Sequence, residues 1–141
     1  MMYILDTNIL SELIKANPRI VQRFEVVPET DEVTTTTISR YELLRGRYSS
    51  ILTAADKPQL LLAQRRLQED EEQLSEIRIL LLTEEAADHF ERLYTSKKFK
   101  KIGRPDLLIA CIALAYRATL VTRNIKDFIA IPTLKLENWA D

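Results

Sequence analysis

Five short strand-like runs, apolar or β-branched, at residues 3–5, 33–38, 79–82, 120–122 and 134–136, recur along this chain, and the segments between them carry helix signals. Strands that alternate with helices are joined by right-handed crossovers, so the expected architecture is α/β, with a mostly parallel central sheet covered on both faces. Thr7 or Asn8 is placed to cap a first helix with Ile9, Leu10, Leu13 and Ile14 on its apolar side. A second helix is expected over residues 20–26, after Pro18, and Ser39 is placed to cap the helix that carries Tyr41, Glu42, Leu43 and Leu44. The segment 54–77, in which Leu60, Leu67 and Leu74 recur at a seven-residue interval, reads as one long amphipathic helix. Another helix starts near Glu84, runs through Ala87, Phe90, Leu93 and Tyr94, and is expected to end at Gly103. Pro105 suits the first position of the next helix, whose residues 107–115 are apolar almost all round and belong in the core.

With 141 residues, the chain is expected to form one domain over 1–141, large enough to bury a core without disulfides. Its longest apolar stretch, residues 107–116, is too short to span a bilayer, and the opening MMYILDTN lacks the basic flank of a signal peptide. A cytoplasmic location is therefore expected. The single cysteine, Cys111, lies inside that apolar stretch, which excludes an intrachain disulfide and a Cys-rich zinc site. A net charge of −1 gives no global attraction to nucleic acid, so any such attraction must be local.

Four acids, Asp6, Glu42, Asp106 and Asp127, each stand just beyond a strand or at the start of a helix. That placement brings them to the carboxyl edge of a parallel sheet, where such sheets bind ligands. Close carboxylates repel by roughly 4 kcal/mol per pair at an effective dielectric near 20, so a gathered quartet calls for a cation or a bound proton. Hydrolysis of a phosphodiester needs a hydroxide near neutral pH and countercharge on the phosphoryl group; magnesium or manganese, held by oxygen ligands, supplies both. Each acid also has a local explanation: Asp6 as a helix cap, Glu42 as the fourth residue of an S-x-x-E capping box begun by Ser39, Asp106 as a partner of the helix dipole, and Asp127 as part of a surface turn.

The segments DTNILSELI from Asp6, SRYELLRG around Glu42, PDLLIACIAL from Pro105 and LVTRNIKDF from Leu120 resemble a PIN-domain protein, and more narrowly the VapC-type ribonuclease toxins of bacterial toxin-antitoxin pairs. The resemblance runs nearly the full length. It implies a three-layer α/β/α sandwich, a Mg2+ or Mn2+ site in which Asp6, Asp106 and Asp127 bind metal, and Glu42 as a further metal ligand or the residue that orients the attacking water. It also implies endoribonuclease activity leaving 5′-phosphate and 3′-hydroxyl ends, a homodimer, and a cognate VapB-like antitoxin. Thr7, Asn8, Ser39, Thr122 and Asn124 match polar positions that support the acids. Many relatives carry Asn or Asp immediately before the third aspartate, where this chain has Arg104 and Pro105.

The run KKFKKIGR, residues 97–104, sets Lys100, Lys101 and Arg104 before Asp106, and Arg45 and Arg123 lie close in sequence to other acids. These five are candidates for contact with RNA or antitoxin. The run reads equally well as a solvated helix end, and Phe99 within it as core. His89, the only histidine, has no partner for a histidine-based acid-base pair. Two other acid-edge enzymes fit less well: an aspartate-based phosphatase needs an acid at Asn8, and a receiver domain needs an acid at Thr83. A non-catalytic PIN-like module that binds RNA or protein is the alternative outside enzymology.

Overall fold

The computed structural model describes residues 1–141 as five strands and seven helices. Strand β1 (Met2–Leu5) leads to α1 (Thr7–Ile14) and α2 (Pro18–Glu25), then β2 (Glu32–Thr36), α3 (Thr37–Leu52) and α4 (Lys57–Leu74). Strand β3 (Arg78–Leu80) is followed by α5 (Glu84–Tyr94), a 3₁₀ turn at Lys97–Phe99, α6 (Arg104–Tyr116), β4 (Thr119–Val121), α7 (Ile125–Phe128) and β5 (Lys135–Glu137). All four strand pairings are parallel, in the order β3-β2-β1-β4-β5. The chain therefore builds outward from β1 in one direction, then crosses over to build in the other, and the reversal lies between β1 and β4.

Two apolar layers sandwich the sheet, and the two-residue side-chain period of a strand assigns each residue to one of them. Ile4, Leu80 and Leu120 point into the layer made with α5 and α6, which includes Leu93, Ile109 and Ile112. Their neighbours Leu5 and Val121 point into the layer made with α1 to α4, which includes Ile9, Leu10, Ile20, Leu44 and Leu67. Helix α6 buries Leu107 and Ile109 to Ala113, as its apolar sequence requires. Cys111 is buried there, and burial pushes its thiol up to about 11 against the pull of Arg92, so it stays protonated.

Several local readings shift. The cap of α1 is Asp6, not Thr7 or Asn8, and the cap of α3 is Thr36, whose hydroxyl accepts from the Ser39 amide at 3.1 Å. Ser39 is thus the third residue of α3, and the S-x-x-E capping box around Glu42 does not form. A run of Thr residues offers several equivalent caps; the register of β2 selects one. The segment 54–77 supplies α4 only over Lys57–Leu74, because Asp56 caps it there with Pro58 in its first turn, while α3 extends to Leu52. Leu67 and Leu74 pack inward, but Leu60 is 45% exposed, so the seven-residue stripe is not one continuous face. Gly103 does not close α5, which ends at Tyr94; it is the cap residue of α6 instead.

Candidate active site

The register of the three central strands brings their carboxyl ends level. Leu5 pairs with Val121, and the Asp6 amide donates to the Val121 carbonyl at 3.0 Å, which sets Asp6 beside Thr122 at the reversal point of the sheet. On the other side Ile4 pairs with Thr34, and the Thr35 hydroxyl donates to the Leu5 carbonyl at 2.8 Å, so Thr36 and the start of α3 reach the same edge.

Asp6 is only 5% exposed. One carboxylate oxygen accepts the Ile9 amide at 2.9 Å, so the residue caps α1 and faces the sheet edge at once. Burial raises its pKa; hydrogen bonds from Thr122, Ile9 and Asn8 pull the other way, and the charge of Glu42 adds to the rise. Glu42, half-buried in the second turn of α3, is held by the Thr7 hydroxyl, which donates to its Oε1 at 2.6 Å and lies 3.0 Å from the Ser39 hydroxyl. A residue beside Asp6 thus fixes an acid 35 positions away.

Asp106 sits in the first turn of α6. Its carboxyl is pushed up to about 6, first by burial and then by the charges of Asp6, Glu42 and Asp127. All four acids therefore face a common region. Asp127, exposed in the first turn of α7, is the outermost; the Thr122 hydroxyl accepts the Asn124 amide at 3.0 Å and shapes the turn that leads to it. None of the protein's five ion pairs includes any of the quartet. No three acids are gathered into a finished metal cage. Hard oxygen donors that lack a basic partner fit a divalent ion such as magnesium, which binds through few carboxylates and keeps several waters.

The polar candidates divide. Thr7, Ser39 and Thr122 touch the acids or one another directly, whereas the Asn8 side chain is exposed and contributes only its backbone amide to Asp6. Asn124 makes no side-chain cap bond. The five basic candidates, Arg45, Lys100, Lys101, Arg104 and Arg123, are all exposed and free of ion pairs. Arg45 lies in a groove along α3 with Tyr41, Tyr48 and Leu52, away from Arg104 at the start of α6. Sequence reasoning did not find the aromatic neighbours of Arg104, which are Phe90 and Tyr94 on α5. Their four-residue spacing was visible, but nothing local tied them to an arginine ten positions further on.

A parallel sheet with carboxylates free of ion pairs near its reversal point fits a PIN domain, and the PIN domain family model matches residues 3–133. Ribonuclease VapC2 of Rickettsia felis is 33% identical over 142 aligned residues, covering 99% of this chain and 98% of that protein. Ribonuclease VapC1 of Haemophilus influenzae strain R2866 is 31% identical with the same coverage. The chain belongs to the PIN-domain family, among the VapC ribonucleases. Among solved structures, VapBC2 from Rickettsia felis bound to a promoter DNA fragment contains a chain that superposes with a TM-score of 0.80 at 32% identity over 99% of both chains. DNA-bound VapBC from Salmonella typhimurium contains one with a TM-score of 0.82 at 26% identity, again over 99% of both.

Proposed function

We propose that this chain is a divalent-metal-dependent endoribonuclease that acts in the cytoplasm as the toxin of a toxin-antitoxin pair. The observation that carries the reading is the quartet at the sheet edge: Asp106 is raised to about 6 by burial and three neighbouring acids, and no lysine or arginine relieves it. Asp6, Asp106 and Asp127 would hold the ion, and Glu42 would hold it too or orient the attacking water. Magnesium or manganese there supplies a nucleophile at neutral pH and countercharge for the phosphoryl oxygens. The chain's own residues arrange the rest. Thr7 fixes the Glu42 carboxylate in one direction, the Ile9 amide fixes Asp6, and burial excludes competing water from the Asp6 side.

Relatives aligned over 97–99% of this chain bear the name ribonuclease or endonuclease, and the Salmonella typhimurium protein is described as specific for tRNA(fMet). Solved relatives that align over 99–100% of the chain come from VapBC complexes, which supports pairing with a VapB-like antitoxin, and a homodimer is part of the same reading. No helix is long and apolar enough to cross a membrane.

The test is Asp6→Asn. Asparagine keeps the cap on α1 but removes the charge, so RNA cleavage and growth inhibition are expected to vanish while the melting temperature holds or rises. Products of the parent protein should carry 5′-phosphate and 3′-hydroxyl ends, and chelator should stop the reaction. Full activity in excess chelator, or 2′,3′-cyclic phosphate ends, would overturn the metal chemistry. Because no finished cage is present, a module that binds RNA without cutting is the second reading; it predicts RNA binding by the parent protein with no cleavage at any magnesium or manganese concentration.

A further inference from the structure

The first turn of α6 carries a cation that no acid neutralises. Arg104 is exposed and takes part in no ion pair. It is braced by aromatic rings instead: its guanidinium carbon stands 5.2 Å from the centre of Phe90 and 5.3 Å from that of Tyr94. Those two rings are stacked, with centres 5.0 Å apart and planes 18° from parallel. Residues four apart on α5 share a face, so the helix itself presets this arrangement. A guanidinium fixed in this way keeps its donors free and has less freedom left to lose when it binds.

Tyr94 remains 54% exposed, and beside it a cleft of about 410 Å³ is lined by Tyr94, Phe99, Lys100, Ile102, Arg104 and Leu107. The segment 97–104 holds five cations and no acid, in a chain whose net charge is −1. None of the five is ion-paired. The occupant must be anionic, and the exposed ring and guanidinium plane favour one with flat faces. Single-stranded RNA meets both demands, because bases stack on aromatic and guanidinium planes while phosphates take the lysines. An acidic peptide would leave the faces unused. Asp106 lies two residues further along α6 and leaves the helix on the opposite side, so a strand held at Arg104 would have to pass over the first turn of α6 to reach the acidic edge.

We infer that the cleft between the end of α5 and the start of α6 is a nucleotide subsite for the RNA strand, in which Arg104 positions the backbone phosphate and Tyr94 stacks a base. The inference deepens the ribonuclease reading and rests on it for the identity of the strand. The test is anisotropy of a fluorescein-labelled single-stranded RNA oligomer with the full chain in excess chelator, with gel electrophoresis to show that the RNA stays intact. Tyr94→Ala is expected to weaken binding by about fivefold or more, and Arg104→Ala by about tenfold with a shallower salt dependence. Arg104→Lys should restore the salt dependence but not the full affinity, an outcome a purely structural arginine would not give. Unchanged RNA affinity in both alanine variants, each with a parental melting temperature, would overturn the subsite. So would loss of binding to a polyglutamate peptide with RNA binding intact, which would mark a surface for acidic polypeptide. Turnover does not enter this measurement. Failure here therefore leaves the ribonuclease reading standing, and Arg104-dependent binding by a protein that never cuts RNA retires the reading while keeping the subsite.

Discussion

Thr7 shows how much of the site depends on one hydroxyl. It stands next to Asp6 in sequence, yet its Oγ1 donates to Glu42 on a different helix. A hydrogen bond to a charged group contributes about 1.5–3 kcal/mol, and more of that appears in orientation than in stability when the acceptor is half-buried. Thr7→Val keeps the shape and removes the donor. Cleavage is expected to fall about tenfold or more in kcat with KM little changed, while Thr7→Ser stays near the parent; steady-state kinetics on a model RNA separates the two. Equal activity in the valine variant would mean that Glu42 needs no restraint.

At the scale of elements, α3 and α4 lie side by side, and a largely buried ion pair joins them. Asp70 on α4 is 3% exposed, and its carboxylate accepts from Arg47 on α3. Removing one partner of such a pair leaves a charge stranded in a poor solvent. Arg47→Met is expected to cost about 3 kcal/mol in urea denaturation, and Arg47→Met with Asp70→Leu to recover most of it. Because α3 also carries Glu42, the single variant should lose cleavage only in proportion to the unfolded fraction. A larger loss at full folding would show that α4 helps to aim Glu42.

For the whole molecule, the acidic edge trades stability for function. Asp106 has a folded pKa of about 6 against an ordinary value of 3.8, so between those pH values the native state holds more protons than the unfolded state. Stability from this group is therefore greatest below about pH 4 and falls as pH rises towards 6, the reverse of a salt-bridged carboxylate. Melting curves should show that Asp106→Asn flattens this slope and raises the melting temperature at pH 7 in chelator. Magnesium should stabilise the parent at pH 7 by up to about 2.7 kcal/mol at one hundred times its dissociation constant. The gain should shrink near pH 5, where protons compete for Asp106. A magnesium effect of equal size in Asp106→Asn would place the ion elsewhere.

Strand and helix order, the buried run within α6 and the positions of Asp6 and Asp106 at helix starts were legible in the sequence, because side-chain periodicity and chain-direction signals act over a few residues, whereas Glu42 falls in the second turn of α3 because Thr36 caps it. Gly103 misled for the same local reason, since a glycine suits the end of one helix and the cap of the next. What the tertiary structure alone decided was partnership. Thr36 rather than Ser39 caps α3 because strand register ends β2 there, Glu42 is aimed by Thr7 from across the sheet edge, and Arg104 rests on Phe90 and Tyr94 because α5 and α6 pack side by side. Periodicity fixes which face of an element is apolar, but the pairing of two polar groups far apart in the chain depends on how those faces dock.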